Sequence, residues 1–392
     1  MEKIKLGLFF EKSQNRNPTE NIFIDVLYNN FECEVFDAKR INDNKYVSEF
    51  LKRNDIFLPH LFLFRYASKS KKIGNFPYYS ENYNKLIENG AKIIDFLEKS
   101  GKPVCCFNLR SDWYPESEKF WQTIPKSFYI LGGVKKGYFN YNAEEDVFFS
   151  KMDINPMLGN KYFNDDMIIP FRHILSSNEL REKSLTKKYD ISVLGVLYKR
   201  RQEILEMAKL KYNVYNPALI LRLRKMLNSF NKKYYFSNKL LNYLFKRGLA
   251  YSKISYTDGS TLDFFVRKYL EIPSQKTLLL CHPFAGMEDY GFIENVHYVS
   301  CNKDNFYDKM DNLLANDKLR NEITENAFNL VKEKFTEKYT AEKLTEIFSL
   351  MKENNFHRCY YKKGEMIVEW FYKYCSASLI YSFAMFSALN FL

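Results

Sequence analysis

The sequence lacks the short signatures of several common chemistries. Its seven Cys, at 33, 105, 106, 281, 301, 359 and 375, form no Cys-x-x-Cys and have no His-rich segment beside them. This argues against a zinc site and a disulfide framework, and for a reducing compartment. There is no Gly-x-Gly-x-x-Gly and no Gly-Lys-Ser/Thr, so hydride and phosphoryl transfer fall in rank. No two Asp are spaced as Asp-x-Asp, which removes the usual Mg²⁺ or Mn²⁺ handle for a diphosphate and leaves that work to backbone and cations. With only 14 Gly and 11 Pro, 46% hydrophobic and 27% charged residues, the chain is globular rather than disordered or collagenous. The start offers one short apolar run, Leu6 to Phe10, cut off by Glu11 and Lys12; this is no signal-peptide core, and a cytosolic start is expected.

What is present is length and uneven charge. The 392 residues exceed one usual domain and favour two. The net charge is +12, and Met207 to Thr257 alone carries 11 Lys and Arg with no Asp or Glu. The basicity is therefore local. In that segment Leu219, Leu223, Met226, Leu227 and Phe230 have helical spacing, and a second helical piece from Lys239 to Arg247 is expected to stop at Gly248. Such a helix pair suits an anionic membrane surface or a lipid-pyrophosphate, although a solvated basic insertion has the same pattern. Tyr234, Tyr235 and Phe236 lie beside Lys232 and Lys233 as stacking platforms would, but no nucleic-acid-binding motif accompanies them, and no nucleic-acid partner is expected.

The first half alternates apolar runs and helical patterns. Strands are expected at Ile4 to Phe10, Glu34 to Phe36, Ile56 to Phe64 and Pro103 to Phe107, and helices at Glu20 to Tyr28 and Tyr83 to Leu97. After a polar stretch, Ser176 to Lys188, the pattern restarts with the strand Tyr189 to Gly195. It continues with a helix Asp263 to Tyr269, a strand Thr277 to Cys281, a helix Asn305 to Leu314, and a helix Lys318 to Phe335 capped by Asp317. The expected fold class is α/β with two doubly wound parallel units, residues 1–185 and 186–355, followed by an apolar tail, 356–392.

The richest segment runs from Tyr256 to Ser274 and on through His282-Pro283 to Asp289. Asp258-Gly259-Ser260 reads as a turn that caps a helix. Asp263, Arg267 and Glu271 then stand at i, i+4 and i+8 on one face. A carboxylate there accepts the two hydroxyls of a ribose, and a free helix start holds phosphate; by spacing alone the same residues also make a solvated ladder. In the first half, Glu11 and Asp112 each follow a strand and are eligible as a general base, and equally as surface carboxylates.

Three stretches resemble bacterial group-1 glycosyltransferases of the spore-maturation-protein type. They are Asp190-Ile-Ser-Val-Leu-Gly-Val-Leu-Tyr-Lys-Arg-Arg201, Arg267-Lys-Tyr-Leu-Glu-Ile-Pro-Ser274, and the helix from Asn316 to Leu330. The resemblance covers about the second half of the chain. It implies the GT-B fold, two Rossmann-like domains facing each other, with a nucleotide-activated sugar in the C-terminal domain and an acceptor in the N-terminal one. By that resemblance Glu271 holds the donor ribose, and Lys199 or Arg201, after the strand ending at Gly195, neutralises the phosphate. Asp263-x7-Glu271 resembles the Glu-x7-Glu pair of retaining relatives, with Asp in place of the first Glu. Arg267, Ser260 and His282 join the donor candidates, His282 because His-Pro after a strand is similar to a motif of the CMP-sugar-using bacterial sialyltransferases, although an ordinary strand-end residue has the same pattern. A non-catalytic carbohydrate- or lipid-binding protein is the alternative from another class.

The expected activity is sugar transfer to a glycan or lipid-linked acceptor of a bacterial surface, without metal or cofactor, in the cytoplasm at the inner face of the membrane. Tyr374 to Leu392 carries no charge over 19 residues but contains five Ser or Asn. It reads either as a helix returning to the N-terminal domain or as a membrane contact.

Overall fold

The computed structural model describes residues 3–11, 18–61, 63–64, 80–107, 122–135, 137–138, 162, 164–171, 173–215 and 234–371. Asp112, the expected helix at 219–230 and the tail 374–392 lie outside these residues. The first half contains β1 (Lys5–Phe9), α1 (Pro18–Asn30), β2 (Glu32–Val35), α2 (Asn44–Arg53), β3 (Ile56–Pro59), α3 (Glu81–Glu88), α4 (Gly90–Lys99), β4 (Cys105–Phe107), β5 (Tyr129–Leu131) and β6 (Ile168–Ile169). The second contains β7 (Tyr189–Val193), α5 (Lys199–Lys211), β8 (Val214–Tyr215), α6 (Tyr234–Tyr251), β9 (Ser252–Thr257), α7 (Lys268–Ser274), β10 (Leu278–Cys281), β11 (Val299–Ser300), α8 (Phe306–Ala315) and α9 (Asp317–Lys334). The chain continues into α10 (Glu337–Lys352) and a hairpin, β12 (Phe356–Lys362) and β13 (Glu365–Trp370).

Both halves are parallel sheets. In the first, the strand sets β2-β1-β3 and β4-β5-β6 are joined by parallel bridges from Phe57 to Val104 and from His60 to Phe107. In the second the order is β8-β7-β9-β10-β11. In each sheet the strand order therefore reverses beside the first strand, and in such sheets a crevice lies outside the carboxyl ends of the strands at that point. The edges with these ends meet: Tyr138, after β5, donates its hydroxyl to Asp289, after β10, at 2.9 Å, and the rings of His173 and Phe265 lie 5.6 Å apart. This is the α/β, GT-B arrangement of two facing Rossmann-like units.

The strands are legible because they are buried on both faces: Leu8 and Phe9 in β1, and Ile56 and Phe57 in β3, are neighbours on opposite faces and all covered. Phe9 packs on Phe36, Phe50 and Phe57, and each such fully buried ring contributes ~1.5–3 kcal/mol. Several local expectations are corrected. The run Tyr83 to Leu97 is two helices, because α4 starts at Gly90, where a Cβ would sit 2.1 Å from the Leu63 carbonyl oxygen. Gly248 is inside α6 rather than after it; its missing side chain makes room for the Tyr215 ring. Asn316, not Asp317, caps α9, its side chain accepting from Leu319 N at 3.0 Å. Asp263 is not helical at all, as described below.

Helix α10 packs back onto the first half. The Phe31 and Phe348 rings lie 5.3 Å apart and Lys352 pairs with Asp55 at 3.0 Å. The β12–β13 hairpin follows it there, with Phe356 against Tyr129 and Arg358 near Asp166. No described helix is long and apolar enough to cross a membrane.

Candidate functional site

Three loops converge at the crevice of the second half: those after β7, β9 and β10. The first turns at Gly195, whose φ of +105° lies outside the range of ordinary side chains. A Cβ on Gly195 would also lie 2.2 Å from Lys268 Cε, so the first residue of α7 reaches over this turn. Helix α5 then begins at Lys199 with no side-chain cap and three cations in its first turn, against the helix dipole.

The second loop compensates two of those cations. Arg201, 1% exposed, donates to Asp258 Oδ1, to the Asp258 carbonyl at 3.2 Å and to the Val196 carbonyl at 2.6 Å. Asp258 Oδ1 also accepts from Ser260 N at 3.0 Å, closing the turn expected at Asp258-Gly259-Ser260. That turn leads only into a single 3-10 turn, Ser260–Leu262, which ends at Asp263, and not into the expected α-helix. Phe264 N donates to the Gly259 carbonyl and Ala285 N to the Asp263 carbonyl, which leaves Asp263 at φ +42°. So placed, Asp263 accepts from Arg200 Nη1 at 2.8 Å. The expected helix face of Asp263, Arg267 and Glu271 is therefore not formed, and α7 begins only at Lys268.

His282 enters from the third loop, its backbone N donating to the Thr257 carbonyl at 3.1 Å and its carbonyl accepting from Tyr269 Oη at 2.6 Å. Burial and the Arg200 charge hold its imidazole below the usual value, against the pull of Asp263 and Asp258. Among the described residues no group of His, Cys, Asp and Glu is arranged to hold a metal ion.

Glu271 follows Lys268 by three residues on α7, so the two are surface neighbours. It accepts from Arg267 Nε at 2.9 Å and is 19% exposed at its side chain. In the first half Glu11 stands at the carboxyl end of β1 and accepts from Asn82 Nδ2 at 2.9 Å. The site thus gathers Gly195, Lys199, Arg201, Ser260, Asp263 and His282, with Glu271 one turn beyond Lys268. Arg201 spends both of its Nη groups within the protein, on Val196 and Asp258, and only its buried Nε has no hydrogen-bond partner. Arg200 and Lys268 were not picked out from the sequence; each stands next to a residue that was, and only the paths of the loops separate them. A groove of about 830 Å³ between α1 and α10, lined by Ile22, Asp25, Ser176, Glu337 and Glu342 among others, contains none of the residues picked out from the sequence. It lies on helix flanks rather than at a strand edge, where α/β ligands bind.

No family model and no curated protein sequence matches the chain. Solved structures do. HepE of Anabaena in complex with UDP-glucose aligns over 89% of this chain and 100% of its own, with 10% identity and a TM-score of 0.47. A glycosyltransferase from Rickettsia africae aligns over 90% and 100%, with 12% identity and a TM-score of 0.49. Sucrose-phosphate synthase from Thermosynechococcus elongatus gives 90% and 100%, 8% identity and 0.49. At these values the likeness does not extend to the role of any residue.

Proposed function

We propose that the chain is a glycosyltransferase that takes a nucleotide-activated sugar at the crevice of its second half. The observation that carries this reading is the convergence of the Gly195 turn, Arg200 and Lys268 at the point where the strand order reverses. Diphosphate oxygens fit there, between backbone N–H groups and cations, without a metal. Glu271 accepts the ribose hydroxyls, Lys199 and Lys268 face the phosphates, and Asp263 with Arg200 borders the sugar. Ser260 and Arg201 hold the turn in shape. The acceptor, a glycan or lipid-linked sugar of a bacterial surface, enters from the first half, where Glu11 is the described candidate for the base and Asp112 a second. The motif resemblance of residues 190–201 and 267–274 to the spore-maturation-protein type supports the same reading.

A CMP-sugar donor is the second reading, favoured by the position of His282 within the field of the Arg200–Asp263 pair. A thermal-shift series with UDP, GDP, dTDP and CMP tests both, since a bound ligand raises the melting temperature by mass action. A shift with one nucleoside diphosphate is expected. A shift with CMP alone selects the second reading, and no shift with any nucleotide or nucleotide sugar selects a non-catalytic binding protein.

A further inference from the structure

Arg267 has every side-chain nitrogen engaged, and its partners belong to three separate parts of the chain. Nε donates to Glu271 on α7 at 2.9 Å. Nη2 donates to Glu179, in the segment that joins the halves, at 2.6 Å. Nη1 donates to Thr19 Oγ1 at 2.8 Å and to the Ile174 carbonyl at 3.0 Å. Thr19 lies in the first turn of α1, in the first half, and is 1% exposed.

The partners are themselves fixed. Glu179 also accepts from Lys246 at 2.8 Å and from Ser176 N at 3.0 Å. Beside it the two chain crossings run together, with Leu175 N donating to the Phe335 carbonyl at 2.8 Å. Burial works against the Arg267 charge, but Glu271 and Glu179 outweigh it and hold the guanidinium protonated. The side chains of Arg267, Glu179 and Glu271 are 13, 14 and 19% exposed, so solvent screens the network weakly.

We propose that Arg267 is a positioning residue that couples nucleotide binding at Glu271 to the seat of α1 at Thr19; the proposal rests on the donor-site reading above. Ribose hydroxyls donating to Glu271 draw on the same carboxylate charge that holds Nε. The guanidinium, a rigid planar fork, then bears more fully on Thr19, Ile174 and Glu179. Linkage is reciprocal: the free energy by which bound nucleotide strengthens the hold on Thr19 is also the free energy by which that hold strengthens nucleotide binding.

Calorimetric titrations with UDP, GDP, dTDP and CMP on the wild type, Thr19→Val, Thr19→Ser and Glu271→Ala test this. Thr19→Val alters no side chain of the nucleotide half, yet should weaken binding about fivefold or more. Thr19→Ser keeps Oγ and should restore it. If Thr19→Val folds poorly, Glu179→Gln loosens the same guanidinium and carries the same expectation. Unchanged affinity in these variants, with weakened binding in Glu271→Ala, overturns the coupling and leaves the donor site standing. Unchanged affinity in Glu271→Ala, or no binding by the wild type, overturns the donor site and the coupling with it.

Discussion

Arg200 and Asp263 stand 63 residues apart in the chain and 2.8 Å apart in the fold, Nη1 to Oδ1. The pair ties the loop after β7 to the loop after β9, and a left-handed backbone at Asp263 brings it about. It makes the rim of the crevice one unit, beneath which Arg201 and Asp258 form a second, fully buried pair.

The buried pair holds the shape of the site. Asp258→Ala leaves the Arg201 guanidinium buried without its carboxylate, and should cost about 3–5 kcal/mol of stability. Urea unfolding of the variant and the wild type measures this, and a loss below about 1 kcal/mol would contradict the role.

The depressed pKa of His282 sets a pH dependence. In the unfolded chain the imidazole titrates near ~6.5. In the fold, burial and Arg200 hold it lower. Its contribution is therefore complete above the unfolded value and is lost as pH falls through the folded one. Wild-type urea midpoints should fall between pH 7.5 and 5.5 more steeply than those of His282→Gln; parallel slopes would refute the assignment.

Cations rather than a metal are proposed to hold the diphosphate. Donor turnover should survive EDTA, and Lys268→Ala should lower nucleotide affinity without making it metal-dependent. Loss of activity with chelator and its recovery with Mn²⁺ would end the idea.

The basic stretch is partly neutralised inside the protein: Lys246 pairs with Glu179, Lys253 with Asp190 and Lys211 with Asp311. Charge reversal at Lys246 would strike the Arg267 network instead of a membrane. The proposed membrane contact is better tested at Lys232, Lys233 and Arg247, where each suitably placed cation contributes ~1 kcal/mol. Reversing these three should release the protein from anionic vesicles at low salt, and unchanged co-sedimentation would exclude the contact.

What the sequence made legible follows from where each signal resides. β1 and β10 are covered on both faces and read as apolar runs. α2 was not recognised, although Asp43 caps it and Tyr46, Val47 and Phe50 are its buried face, because a ten-residue helix shows that pattern too briefly. The segment 258–267 misled for a different reason. Its spacing is helical, but bonds from Arg200, Phe264 and Ala285 decide its backbone, and these are tertiary. Charge pairs followed the same rule. Arg267 with Glu271 was visible at i, i+4, whereas Arg267 with Glu179, 88 residues apart, required the fold.

Glu271 is proposed to receive the donor ribose, and the nucleotide affinity of Glu271→Ala decides whether it does. Melting temperature does not discriminate, because removing Glu271 also frees one arm of Arg267 and should lower stability in either case. Charge-assisted bonds of about 1.5–3 kcal/mol each are lost with the carboxylate. Binding of the preferred nucleotide, read by calorimetry, should therefore weaken at least tenfold, the equivalent of ~1.4 kcal/mol, and Glu271→Gln should retain part of it. A Glu271→Ala protein that melts lower yet binds the nucleotide as tightly as the wild type would contradict the claim and reduce Glu271 to a partner of Arg267.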